Sequence, residues 1–144
     1  MNQDAIAKAA EIVRENSAHG SETGFGMCIL SLVDEQGFPT ASIVTPSRSD
    51  GIRWITFCTM LDQNRAKRAA NCKRASVCFG IAEHCVNLVG DIEIITSDDA
   101  KRETWYDGLG HHFTGPDDPN YCVLKFTTRR YKFFLDYEEV AGTL

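Results

Sequence analysis

Thr59, Asn64, Arg65 and Lys67 are the residues whose types and spacing point most directly to a chemistry. They straddle a change of pattern. Trp54 to Cys58 is short, aromatic and β-branched, which predicts a half-buried strand. Thr59-Met60-Leu61-Asp62 breaks that pattern before Gln63 to Asn71, a run of helix formers without Gly or Pro. Asp62 is placed to cap this helix. A helix N-terminus presents unpaired N–H groups and partial positive charge. Here it also carries Asn64, Arg65 and Lys67 in its first turns and has the Thr59 hydroxyl at the strand end beside it. That set suits a phosphate. On residue chemistry alone a second reading stands beside it: Arg65, Lys67 and Arg68 form one solvated helix face, Asp62 disfavours an anion, and no glycine-rich phosphate loop is present.

The elements around this junction are mostly strands. Asp4 to Ser17 carries Ile6, Ala9, Ala10 and Val13 at helical spacing, so a helix over about 4–17 is expected, packing on a barrel or on a partner subunit. Phe25 to Val33 and Phe38 to Val44 are joined by Asp34-Glu35-Gln36-Gly37, a hairpin signal. Thr45 to Gly51 reads as a turn and Ile52 to Cys58 as a third strand. Beyond the helix come Ser76 to Ile81 and a longer run, Cys85 to Thr96, in which Gly90 predicts a bulge or bend. Ser97-Asp98-Asp99 opens a short helix reaching Trp105-Tyr106. An irregular stretch, Asp107 to Asn120, then leads to two last strands, Tyr121 to Thr127 and Tyr131 to Asp136. About seven strands with three inserted helices predict a mainly β fold, a small antiparallel barrel with peripheral helices in one domain, rather than a doubly wound sheet.

Composition narrows the partners. With 144 residues, 43% apolar and 24% charged, the chain is of ordinary globular type, and its net charge of −5 argues against general nucleic-acid binding. Against that acidic background, Arg65, Lys67, Arg68, Lys73 and Arg74 form a local basic cluster that suits a small anion. The six cysteines, at 28, 58, 72, 78, 85 and 122, show no CxxC spacing. Four of them lie inside apolar runs, where free thiols act as small hydrophobes, and such a set fits a reducing cytoplasm. The N-terminus lacks a signal-peptide core and no apolar run spans a bilayer, so a cytoplasmic protein is expected. His111-His112, with Asp117-Asp118 nearby, reads as loop rather than metal site. His84 and Cys85 read as structural, and no metal is expected.

Five pieces in this order resemble the pyridoxamine 5′-phosphate oxidase-like flavoproteins, whose fold is an FMN-binding split barrel. They are Pro39 to Val44, Trp54 to Thr59, Asn64-Arg65-Ala66-Lys67, Cys85 to Gly90, and Asp98 to Trp105. The run HHFTGPDDPNYCVLKFT looks most like the general-stress-protein branch of that family. The resemblance implies FMN as cofactor, with Ser42, Ile43 and Val44 along the flavin ring and Thr59, Asn64, Arg65 and Lys67 at its phosphate. Trp105 or Tyr106 would cover the ring, or else pack in the core. It also implies a homodimer, for which Ile52, Trp54 and Phe133 are candidate contacts or core residues. Three departures bear on the cofactor site: Ser42 where the oxidase has Arg, Arg65 where the helix opens with Ser, and Cys85 where a Gln precedes the bend. The oxidase's C-terminal Arg-containing signature is also missing before Leu144, so pyridoxamine phosphate oxidation is not expected. A flavin supplies its own redox chemistry, so the lack of an evident catalytic base does not exclude an enzyme. The alternatives are a flavin-binding stress or sensor module with little turnover, and a deazaflavin or haem ligand in the same fold.

Overall fold

The apolar stripe near the N-terminus forms helix α1, Asn2–Glu15, in the computed structural model, which describes residues 2–144. Ala9 and Val13 are its buried positions, and they pack into the same core as the strands. Eight strands follow: β1 Cys28–Val33, β2 Pro39–Val44, β3 Pro46–Asp50, β4 Trp54–Met60, β5 Arg74–Ile81, β6 His84–Ile95, β7 Tyr121–Leu135 and β8 Glu138–Thr143. Helix α2, Asn64–Asn71, lies between β4 and β5. Helix α3, Asp98–Thr104, and a 3-10 turn, Asp107–His111, lie between β6 and β7.

The strands make one antiparallel sheet in the order β2-β1-β5-β6-β7-β4-β3, with β8 also paired to β7. The mainly β, barrel-like expectation therefore holds, and β7 shows how the barrel splits. One edge of β7 pairs with β6 along its length. The other pairs with β4 over Tyr121 to Thr127 and with β8 over Arg130 to Leu135. Between these two pairings β6 and β7 shift register at Val89 and Gly90, at the glycine from which the sequence predicts a bend. A Cβ on Gly90 would stand 2.0 Å from the Thr127 carbonyl oxygen, so only glycine allows so close an approach of the two backbones. Inward residues alternate along the strands, with Leu30, Val77, Phe79, Leu88, Phe126 and Phe133 almost wholly buried.

Four expectations are corrected. Thr45 to Gly51 is not only a turn, because it contains the edge strand β3. Proline is tolerated at such an edge, and buried Ser47 ties the strand to Thr56 through an Oγ–Oγ1 hydrogen bond of 2.6 Å. Polar pairing of this kind leaves no apolar alternation to read. The two last strands are one, β7, because Thr128 donates its N–H to the Arg53 carbonyl (2.9 Å) and carries the ladder across. Tyr137, at φ 64°, then turns the chain into β8, which completes eight strands rather than seven. Asp62 does not cap α2. The cap position is Gln63, which makes no side-chain cap bond, while Asp62 accepts from Asn120 Nδ2 at 3.3 Å. At the other short helix, Ser97 does cap α3, accepting from the Ala100 N–H at 3.4 Å.

Candidate functional site

Where β4 gives way to α2, a cavity of about 410 Å³ opens between the end of β2 and the segment after α3. One side is made by two strands that do not pair with each other, with Ile43, Val44 and Thr45 from β2 and its end, and Phe57 to Met60 from β4. Gln63 and Arg65 stand at the helix start. The opposite wall is Tyr106, Leu109, His112 and Phe113.

Arg65 is the electrostatic centre of this arrangement. It is half-buried, and its Nε donates to Ser42 Oγ (3.1 Å) while Nη2 donates to the Ile43 carbonyl (3.4 Å). Burial pushes its pKa down, the direction expected when a cation loses water without gaining an anion. Among the described residues no carboxylate lies within ion-pair distance of Arg65, Lys67 or Arg68. Arg68 reaches β2 one step away, donating from Nη1 to Thr40 Oγ1 at 3.1 Å, and its buried Nε has no hydrogen-bond partner. Two guanidinium groups thus lie between α2 and β2 with donors to spare. Thr59 is 5% exposed and lines the cavity beside them.

The sequence-predicted site residues divide. Ile43, Val44, Thr59 and Arg65 line the cavity, and Ser42 holds the Arg65 side chain. Asn64 and Lys67 are exposed on α2 and do not line it. Trp105 packs behind the far wall, with ring centroids 5.6 Å from Tyr121 and 6.3 Å from Phe113, and it is Tyr106 that reaches the cavity. Leu109, His112 and Phe113 are wall residues that the sequence left in an irregular loop. The only signal for them was the aromatic character of that stretch. Ile52 and Phe133, candidates for a dimer contact, are core residues at 1% and 0% exposure, while Trp54 is half-exposed with the Lys125 ammonium over its ring.

Behind the far wall lies a buried polar cluster. Tyr121 donates its OH to the Lys101 carbonyl (2.7 Å) and is 2.7 Å from Thr104 Oγ1, and Cys58 Sγ lies 3.5 Å from the same phenol oxygen. Burial raises the pKa of Cys58 and of Tyr121, and holds the Tyr106 phenol up at about 12. These groups stay protonated near neutrality, so the cavity carries positive charge from Arg65 and none of the opposite sign from its own thiol or phenols. The loop itself is fixed by Asp118, whose carboxylate accepts from the Thr114 N–H (3.0 Å) and the Asn120 N–H (2.9 Å). Those backbone donors hold its pKa below the usual carboxylate range. Among the described residues no three metal-ligating side chains converge, and no helix is long and apolar enough to cross a membrane.

Comparison with known proteins agrees with the architecture. The family model described as pyridoxamine 5′-phosphate oxidase matches residues 22–134. No curated protein matches significantly. A Clostridium acetobutylicum protein, related to general stress protein 26 of B. subtilis in the pyridoxinephosphate oxidase family, superposes with a TM-score of 0.83. The identity is 19%, over 100% of this chain and 97% of that one. General stress protein 26 from Bacillus anthracis str. Sterne gives a TM-score of 0.76 at 17% identity, over 99% of this chain and 100% of that one. A haem-binding protein from Mycobacterium smegmatis gives 0.71 at 18% identity, over 96% of this chain and 57% of that one. At these identities the structures establish a common fold, and with the match of the family model over most of its length the chain belongs to the pyridoxamine 5′-phosphate oxidase family.

Proposed function

We propose that this chain is an FMN-binding flavoprotein of the general-stress-protein type, acting as an oxidoreductase on a substrate other than pyridoxamine phosphate. The observation that carries this reading is Arg65: a half-buried guanidinium with no carboxylate partner among the described residues, lining with Thr59 a cavity of about 410 Å³. A phosphate there gains charge-assisted hydrogen bonds from Arg65 and the Thr59 hydroxyl, with Asn64 and Lys67 adding dipole and charge from the rim. The apolar side chains of Val44 and Phe57 on one side, with Tyr106, Leu109 and Phe113 on the other, suit a planar ring system. Bound FMN would supply electron and hydride transfer. The protein's own part is to hold the phosphate, keep water from the ring and present a cavity of positive potential. Arg65 meets the phosphate with Nη1, which makes no hydrogen bond among the described residues, and gains further by exchanging Ser42 and the Ile43 carbonyl, neutral partners, for an anion.

A haem ligand is the second reading, favoured by one observation: His112 lines the cavity, and imidazole is a common axial ligand. The absorption spectrum of the purified protein, before and after incubation with FMN and desalting, separates the two. Retained flavin bands at one FMN per chain are expected. A Soret band after haem addition, with no FMN retained, would replace the flavin reading. Oxidation of reduced nicotinamide by the flavin-loaded protein with an added electron acceptor then distinguishes an oxidoreductase from a binding module that does not turn over.

A further inference from the structure

Two of the thiols outside the cavity face each other. Cys78 on β5 and Cys85 on β6 have their sulfurs 3.7 Å apart, in van der Waals contact, while all six cysteines are free. They are diagonal neighbours: Cys78 pairs with Asn87, and Cys85 pairs with Gly80. Gly80 has no side chain and nothing within 4 Å of where a Cβ would be, so the space opposite Cys85 is open and its sulfur leans toward Cys78. Both thiols are half-buried in a groove of about 380 Å³, lined also by Asn87, Lys132, Phe134 and Glu139. This groove lies on the opposite face of the sheet from the buried Val77, Phe79, Val86 and Leu88.

We propose that Cys78 and Cys85 form a reversible dithiol–disulfide site, oxidised by hydroperoxides and reduced by small dithiols. In the oxidation, the Cys85 thiolate attacks a peroxide oxygen. The O–O bond breaks, an alcohol or water leaves, and Cys85 becomes a sulfenic acid as the peroxide takes two electrons. The Cys78 sulfur then attacks that sulfur, the S–S bond forms and water departs with the Cys78 proton. Burial and its neighbour hold the Cys78 thiol up at about 11, which suits it to the second, resolving role. Directly opposed or diagonal strand positions differ in what they allow. Diagonal Cα atoms lie about 7–8 Å apart in an antiparallel pair, beyond the usual span of a relaxed disulfide at about 4.4–6.8 Å. The bond therefore forms under strain and is readily reduced, the behaviour of a switchable rather than a structural disulfide. Closing it requires the two strands to draw together near the β5–β6 hairpin, whose Ala82 lies three residues from Cys85.

Both cysteines fall in one tryptic peptide, Ala75 to Lys101, and Cys72 falls in another. The test treats the purified protein with hydrogen peroxide at near-stoichiometric dose, blocks remaining thiols with N-ethylmaleimide, and reads the peptides by mass. The expected product is the Ala75 to Lys101 peptide lighter by two hydrogens and unalkylated, restored by dithiothreitol, with Cys72 still alkylated. In Cys78→Ser, Cys85 should be captured as the dimedone adduct of its sulfenic acid. In Cys85→Ser, Cys78 should stay alkylatable. Peroxide doses that oxidise Cys72 while both groove thiols remain free would overturn the proposal, as would Cys85 advancing to sulfinic acid in the native protein with Cys78 still reduced. The readout is mass alone, so it is independent of whether the cavity holds FMN.

Discussion

Arg65 and Lys67 stand two residues apart on α2 and differ in what surrounds them. Arg65 is half-buried against β2 and faces the cavity, whereas Lys67 is exposed. Position in water decides their weight, since a charge-assisted hydrogen bond in a dry site is worth about 1.5–3 kcal/mol and an exposed ion pair about 0.2–1 kcal/mol. Arg65→Ala should therefore raise the Kd for FMN roughly ten- to a hundredfold, and Lys67→Ala only severalfold, both measured by quenching of flavin fluorescence on titration. Equal losses from the two would move the phosphate to the outer face of the helix. The choice between these side chains was not legible in the sequence, where both are basic residues in a first turn. Only the reach of Arg65 to Ser42 separates them. Thr59, Val44 and Ile43 were legible, because each lies at the end of a strand whose apolar alternation marks where it stops. Tyr106, Leu109, His112 and Phe113 were not, since the path of the 107–120 loop is set by the Asp118 carboxylate and by packing on Tyr121 rather than by any periodic pattern.

The elements most clearly written in the chain were those with apolar alternation: β1, β2, β4, β5 and β6 all fall near their expected places. Strands β3 and β8 escaped notice because Pro46 to Asp50 and Glu138 to Thr143 lack apolar alternation and sit at sheet edges, hydrogen-bonded to one neighbour. Thr128 to Arg130 fell between two expected strands for the same reason, yet it is the middle of β7. Gly90 is the exception, a single residue whose sequence signal and structural role coincide. It lets β6 pass within touching distance of β7 at the register shift where the second partner of β7 changes from β4 to β8. Gly90→Ala should force the two backbones apart there. We expect a loss of about 3 kcal/mol in stability, read as a lowered urea midpoint with the slope unchanged, since the clash is with a backbone carbonyl that no rotamer change relieves. Gly37→Ala is the control of another kind: its hairpin turn has φ 86° but open space around it, so its cost is backbone strain alone, about 1 kcal/mol.

Across the whole molecule, the curled sheet buries one face thoroughly and leaves the margin near the cavity apolar and open. Phe25, Met27 and Ile43 are 60%, 49% and 66% exposed, and the Cys28 to Val44 pairing that joins the first two to the third sets them along one edge of the sheet. Isolated exposed apolar side chains need no explanation, but three grouped by this pairing, of which Ile43 lines the cavity, are an incomplete surface. A second copy of the chain seated on this margin would bury it and close the cavity at once, which is why we expect a homodimer whose two cofactor sites depend on the interface. Phe25→Glu places a charge in that contact at a residue that neither lines the cavity nor bonds to Arg65. In sedimentation velocity the parent chain should run as a dimer at micromolar concentration and the variant as a folded monomer, with the same far-ultraviolet circular dichroism. Because assembly and cavity closure are coupled in this arrangement, FMN should shift the variant back toward the dimer, and the variant's FMN affinity should rise with protein concentration while the parent's does not. A variant that stays dimeric would place the interface elsewhere on the molecule. A monomer that binds FMN with undiminished affinity would show that one chain completes the site alone.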